Sequence, residues 1–112
     1  MIHEINLEIG SPTVISALKQ LEFFIASTRV SKGRVIKIIH GYGSTGKGGK
    51  IRTAVRKMLK EYKEQDRLVL FIKGEDFSIF DPSTRYLIEK FPETTNDTDL
   101  DKQNQGITYV LL

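Results

Sequence analysis

The sequence predicts an α/β fold, a two-layer sandwich in which two main helices cover one mixed sheet of four to five strands. Three observations lead to this prediction. Strand-like and helix-like apolar patterns alternate as far as residue 72, and strand-helix-strand units give parallel strands. A further apolar strand, 107–112, ends the chain after a short extra helix. The length of 112 residues fits a single domain, 1–112, with a modest core.

The first half of the chain contributes two strands and a helix. Residues 3–9 alternate apolar and polar side chains, which is typical of a half-buried strand. Ser11 suits the cap and Pro12 the first position of a helix that we expect to run to about Thr28. After a turn, residues 34–39 are almost wholly apolar, which predicts a central strand.

The second half begins with a helix, because residues 51–62 place apolar side chains at helical spacing. We expect this helix to start near Gly49 or Lys50. The later predicted elements are a strand at 68–72, a short extension or hairpin return at 77–80, a short helix from Asp81 to Lys90, a flexible acidic loop at about 92–106 and the strand 107–112.

Composition excludes several classes of protein. No apolar run is long enough to span a membrane, and the first residues lack the order of a secretory signal. The sequence contains no Cys, so disulfides, thiolate zinc sites and cysteine nucleophiles are excluded. Together these features fit a cytoplasmic protein.

Charge is strongly segregated along the chain, although the net charge is only +3. The segment 29–63 holds eleven basic residues and one acid, a net charge of +10, whereas the rest of the chain carries −7. Such segregation produces a strong local field and favours a polyanionic partner, nucleic acid above all, over a merely solvated face.

The segment 40–50, HGYGSTGKGGK, joins the predicted central strand to the basic helix. It nearly spells a P-loop, but Gly48 stands where a hydroxyl would ligate Mg²⁺, and the third strand ends in Lys73 rather than in a metal-binding Asp. It also contains the Gly-x-Gly-x-x-Gly pattern of dinucleotide-binding domains. The acid at the required distance, Asp66, lies in a predicted loop rather than at a strand end, so this interpretation is also disfavoured.

The same segment has the properties of a clamp for a phosphate backbone. Successive glycines let backbone N–H groups turn toward an anion, and the following helix start adds a positive end. We expect Arg52, Arg56 and Lys60 to share one exposed helix face, and Tyr42 either to stack on a base or to pack over the loop. The predicted nucleic-acid-binding residues are Gly41, Tyr42, Gly43, Ser44, Thr45, Gly46, Lys47, Lys50, Arg52, Arg56 and Lys60.

The run VIKIIHGYGSTG, followed by a basic helix, resembles the signature of the small MutS-related (Smr) domain, in which a strand ends in H-G-x-G. The resemblance covers residues 5–63 well and extends to the apolar last strand. It implies a compact α/β sandwich that binds branched DNA or structured RNA, in some members at ribosomes and in several with endonuclease activity. The chain departs from the family's first motif, L-D-x-H-G, where it has Asn6 for the acid and Glu8 for the histidine.

Three hypotheses about function follow. We favour a module that binds structured RNA or branched DNA. The first alternative is an endonuclease in which His40 and Glu8 carry the chemistry, with a divalent metal only in that case, although His40 can equally hold the loop in shape. The second is a protein-interaction module that uses the acidic residues 93–101. We expect no cofactor, no dedicated metal site, no membrane contact, and a monomer or weak homodimer.

Overall fold

The computed structural model describes residues 1–10, 12–43 and 47–112. The main elements are β1 (Ile2–Asn6), α1 (Val14–Val30), β2 (Val35–Ile39), α2 (Lys47–Glu64), β3 (Leu70–Lys73), α3 (Pro82–Lys90) and β4 (Ile107–Leu111). Single 3-10 turns lie at Gly74–Asp76 and Pro92–Asn96. No helix in this described part of the chain is long and apolar enough to cross a membrane.

The four strands form one mixed sheet in the order β1-β2-β4-β3. β1 runs parallel to β2, and β4 is antiparallel to both of its neighbours. The predicted α/β fold with a mixed sheet is therefore confirmed, and β2 is central as expected. The last strand of the chain lies between β2 and β3, so these two strands point the same way without being neighbours.

Helices α1 and α2 cover one face of the sheet. Their buried side chains pack with Ile36 and Ile38 of β2 and Val110 of β4 in one core cluster. The opposite face carries a second cluster, in which Leu87 of α3 packs with strand residues such as Tyr109. The short third helix thus adds a smaller layer that the two-layer prediction did not include, and it covers a face on which β2 contributes Val35 and Ile39.

Two strand predictions need correction. β1 ends at Asn6 rather than at residue 9, because β2 ends at Ile39, the register partner of Asn6. Leu7 is still buried and its N–H donates to the Ile39 carbonyl, but Ile9 is exposed. No strand forms at 77–80, where the chain turns into α3 and Asp81 caps that helix by accepting from the Thr84 N–H.

The predicted helix starts also need correction. Thr13 caps α1, with its hydroxyl accepting from the Ser16 N–H, whereas Ser11 lies outside the described residues. Helix α2 begins at Lys47, two residues before the earlier of the predicted starts. Glycine disfavours helix, yet α2 starts through glycines. A Cβ at Gly49 would make ordinary van der Waals contact, 3.6 Å, with the Gly43 Cα, so this turn lies against the preceding loop.

The acidic segment 92–106 is joined to the sheet by hydrogen bonds and salt bridges. It begins with a 3-10 turn, and the carboxylates of Asp97 and Asp99 accept hydrogen bonds from Lys37 on β2. The flexibility predicted for this segment stays a prediction. Two of its carboxylates nevertheless accept hydrogen bonds from a buried lysine.

Candidate nucleic-acid interface

His40 follows the last residue of β2 and is fully buried. Its Nδ1 lies 2.6 Å from the Gly41 carbonyl oxygen, and its Nε2 lies 2.8 Å from the Thr108 hydroxyl of β4. Both ring nitrogens therefore have a partner inside the domain. The ring ties the first residue of the glycine loop to the sheet.

The protonation state of His40 follows from these partners. A carbonyl can only accept, so Nδ1 carries the proton, and Nε2 accepts from the Thr108 hydroxyl when the ring is neutral. Burial lowers the pKa of His40 to about 4 against the effect of the Gly41 hydrogen bond, and the charges of Arg56 and Arg52 act in the same direction as burial. His40 is accordingly neutral near pH 7.

Arg56 lies beside this histidine and is occupied by protein partners. Its guanidinium forms a bidentate ion pair with the Glu75 carboxylate, with N–O distances of 2.9 and 2.7 Å. It also donates hydrogen bonds to the Thr108 hydroxyl and the Ile107 carbonyl. Burial opposes the charge of Glu75, but the hydrogen bonds and charge of Arg56, a backbone hydrogen bond and the charge of Lys73 together outweigh it and lower the pKa of this carboxylate. The prediction that Arg56 belongs to an exposed basic face is therefore wrong.

Arg52 and Lys60, the other two members of that predicted face, lie in different surroundings. The Arg52 guanidinium donates to the Gln105 side chain at 3.3 Å and is partly buried, whereas Lys60 is exposed. The outer face of α2 is instead formed by Lys50, Thr53, Lys57 and Lys60, which are all exposed and recur at helical spacing. Lys50, Thr53 and Lys57 line a shallow depression with Gly49.

The three lysines of this outer face differ in one respect from Lys37 and Arg56. Among the residues that the structure describes, no salt bridge involves Lys50, Lys57 or Lys60, whereas carboxylates neutralise both Lys37 and Arg56. An exposed cation without a fixed counterion retains its field in solution. The outer face of α2 is therefore a part of the basic segment, on one continuous helix surface, that is available to a polyanion.

The described part of the glycine loop lies next to the start of this helix. Gly41 and Gly43 have positive φ angles of 76° and 93°, a conformation that favours glycine. Tyr42 is 56% exposed, and its ring lies next to Gly106. Both predicted roles of this residue, stacking on a base and packing over the loop, therefore stay open. Ser44, Thr45 and Gly46 lie outside the described residues.

The first-motif positions lie at the same edge of the sheet as His40. Asn6 is the register partner of Ile39, and its side-chain oxygen accepts from the Glu8 N–H at 2.8 Å, which fixes the turn after β1. The Glu8 side chain is exposed, and no described hydrogen bond or salt bridge involves its carboxylate. The structure thus brings the two strand ends together without joining Glu8 to His40, and a catalytic role for either residue stays a prediction.

Sequence reasoning did not identify the partners of these residues. Thr108, Glu75 and Gly106 fix the positions of His40, Arg56 and the loop, yet each lies far along the chain from the group that it contacts. No local spacing in the sequence marks Glu75 as the partner of Arg56. Among the described residues, no group of three His, Cys, Asp or Glu is placed to hold a metal ion.

Fold and site define a small α/β domain in which a glycine loop and a basic helix meet at the end of a buried strand. The sequence model of the Smr domain matches residues 9–112, and the chain therefore belongs to the Smr domain family. Smr domains are in general nucleic-acid-binding or nuclease-related. Comparison with curated proteins finds no match to this sequence.

A solved structure supports the same fold. The chain is similar to the crystal structure of the Smr domain of MutS2 from Thermus thermophilus, with a TM-score of 0.60 and 21% sequence identity. The match covers 98% of this chain and 96% of that chain. The likeness extends over nearly the whole of both domains, and at this identity it shows the shared fold.

Proposed function

We propose that this Smr domain binds the phosphate backbone of structured RNA or branched DNA through the outer face of α2 and the adjoining glycine loop. The observation that carries the proposal is the set of three exposed lysines on one helix face, Lys50, Lys57 and Lys60, with no salt bridge among the described residues. Phosphate binding by lysine needs no metal and reads no base sequence.

The geometry of the helix supports contact with more than one phosphate. Lys50 and Lys57 are two turns apart, about 10 Å along the helix axis, and Lys60 lies a further turn beyond. Lys50 also lies in the first turn of α2, where free backbone N–H groups favour an anion. The exposed Tyr42 ring beside this turn supplies a flat apolar surface for an unpaired base, which structured RNA offers in its loops.

A charge-matched pair of variants tests the proposal. Changing Lys50, Lys57 and Lys60 together to Gln removes three charges from the outer face of α2. Changing Lys19, Lys90 and Lys102 to Gln removes three charges from exposed lysines elsewhere, two of them with α3 and the acidic segment on the opposite side of the sheet. Binding to an RNA hairpin and to a four-way DNA junction is measured by fluorescence anisotropy at low salt.

We expect the α2 variant to lose affinity by about tenfold or more, because each lost phosphate contact removes a counterion-release contribution. The control variant changes the net charge equally and should lose much less. Equal losses in the two variants would show that only net charge matters, and unchanged binding by the α2 variant would refute the proposed interface.

A further inference from the structure

The acidic segment is connected to the glycine loop by an unbroken series of hydrogen bonds. The side-chain N–H₂ of Asn104 donates to Asp99 at 3.1 Å, and its side-chain oxygen accepts from the Gly106 N–H at 2.8 Å. The Gly106 carbonyl in turn accepts from the backbone N–H groups of His40 and Gly41, at 2.9 and 3.0 Å. Asn104 thus uses both ends of its amide to link Asp99 to the loop.

The other end of this series is fixed in the core by Lys37 of β2. Its ammonium group donates to Asp99 at 2.6 Å and to Asp97 at 3.1 Å, and Asp97 also accepts from the Tyr109 hydroxyl at 2.7 Å. Burial opposes the charge on Lys37, but the hydrogen bonds to Asp99 and Asp97 outweigh it and raise the pKa of this lysine. The anchor is therefore a hydrogen-bonded network in which Lys37 contacts two carboxylates.

Space around Gly106 is limited, so a displacement there reaches the loop. A side chain at Gly106 would approach the Tyr42 ring and the Asn104 side-chain oxygen to 3.2 Å, and the Gly41 Cα to 3.4 Å. The Tyr42 ring and the backbone at Gly41 consequently depend on where Gly106 lies. The position of Gly106 depends in turn on Asn104 and Asp99.

We propose that Asp99 and Asn104 are positioning residues for nucleic-acid binding, which set the loop at Gly41 and Tyr42 from the opposite side of the sheet. This inference rests on the function proposed above. In this proposal, part of the acidic segment holds the glycine loop in position and does not cover the basic face of α2. The carboxylates of Asp97 and Asp99 contact Lys37 on the α3 side of the sheet, so they lie away from the lysines of α2, and Lys37 offsets one of their two charges.

Two variants with the same net charge distinguish an effect on the position of the loop from an effect of charge. Asp99→Asn replaces a carboxylate that uses both oxygens, one for Lys37 and one for Asn104, by an amide with a single acceptor. Asp101→Asn makes the same change of charge at an exposed residue of the same segment, whose positive φ asparagine tolerates. Charge alone predicts that both variants bind a polyanion slightly more tightly than the unchanged protein.

We expect Asp99→Asn instead to bind an RNA hairpin about fivefold more weakly, the value of one ordinary hydrogen bond, while Asp101→Asn binds at least as tightly as the unchanged protein. The uncharged variant Asn104→Ala should match Asp99→Asn and serves in its place if that variant does not fold. Backbone amide chemical shifts of Gly41, Gly43 and Gly106 provide a second readout that needs no nucleic acid. These chemical shifts should change in Asp99→Asn and in Asn104→Ala and stay the same in Asp101→Asn.

The outcomes are distinct. The inference would be overturned if Asp99→Asn and Asn104→Ala bind as tightly as Asp101→Asn. It would also be overturned if these two variants leave the amide chemical shifts of the loop unchanged. If the unchanged protein binds no nucleic acid at all, the proposed function fails, whereas the amide shifts still decide whether Asp99 and Asn104 control the loop.

Discussion

The ring of His40 and the hydroxyl of Thr108 are joined by a hydrogen bond of 2.8 Å inside the domain, and Arg56 donates to the same hydroxyl at 3.1 Å. A protonated His40 would place two cationic donors on one hydroxyl oxygen. The neutral ring avoids this conflict by accepting from Thr108. The histidine of the family's H-G-x-G motif is thus part of the core here, and it holds the end of β2 to β4.

The first prediction concerns the titration of His40. Its pKa is lowered to about 4, so we expect its ring resonances to stay constant from pH 8 to about pH 5, whereas those of an ordinary histidine change near pH 6.5. An NMR titration with ¹⁵N-labelled histidine measures this directly. A midpoint above pH 6 for His40 would contradict the assignment of the neutral, buried ring.

The second prediction is that the lowered pKa of His40 makes the stability of the domain depend on pH. Since the folded pKa is below the unfolded one, the unfolded chain binds more protons, so stability is complete above about pH 6.5 and falls as pH decreases toward 4. A shift of this size corresponds to a loss of about 3 kcal/mol in the free energy of unfolding. Urea denaturation between pH 7 and 4.5 measures it. His40→Asn should flatten the curve in this range, because it removes the side chain whose pKa differs between the folded and the unfolded chain.

The third prediction concerns the ion pair between Arg56 and Glu75. Arg56→Gln leaves a partly buried carboxylate without its counterion, so we expect a loss of about 2 to 4 kcal/mol in the free energy of unfolding. Adding Glu75→Gln should recover part of this loss. The double variant should still bind nucleic acid within about twofold of the unchanged protein at equal salt, because its net charge is the same. A large loss of binding in the folded double variant would show that Arg56 contacts the ligand.

The fourth prediction is that the domain binds nucleic acid without cutting it. His40 is buried with a partner on each ring nitrogen, the Asn6 side chain holds a turn, and no described hydrogen bond or salt bridge involves the Glu8 carboxylate. We therefore expect no cleavage of supercoiled plasmid or structured RNA by the purified protein in the presence of Mg²⁺ or Mn²⁺. Cleavage that disappears in both Glu8→Gln and His40→Ala would contradict this expectation, whereas cleavage that survives both changes would indicate a contaminant.

The fold was predictable because its signals are local. Alternation in β1, apolar runs in β2 and β4, and helical spacing in α1 and α2 each lie within one element, and the Asp81-Pro82 start of α3 is a local cap. The ends of elements were less predictable, because partners elsewhere determine them. β1 stops at Asn6 where β2 stops, and α2 begins at Lys47, before the apolar pattern of residues 51–62 that predicts it.

The candidate site was predictable only in part, for the same reason. The sequence identifies the basic segment, but it does not show which cations are neutralised. Arg56 and Lys60 look alike in sequence, yet Glu75 pairs with Arg56 whereas no described salt bridge involves Lys60. The contact between Arg56 and Glu75, 19 positions apart, produces this difference. The links of Lys37 to Asp99 and of Gly106 to the loop, 62 to 66 positions apart, are of the same kind.

The dependence of RNA affinity on salt tests the central claim most directly. Each phosphate contact makes the slope of log K against log salt more negative by about 0.7 to 0.9, so changing Lys50, Lys57 and Lys60 to Gln should make the slope less steep by about 2 to 3. The same change at Lys19, Lys90 and Lys102 should leave the slope nearly unaltered. A slope that is the same in the unchanged protein and the α2 variant would contradict binding of the phosphate backbone by this helix face.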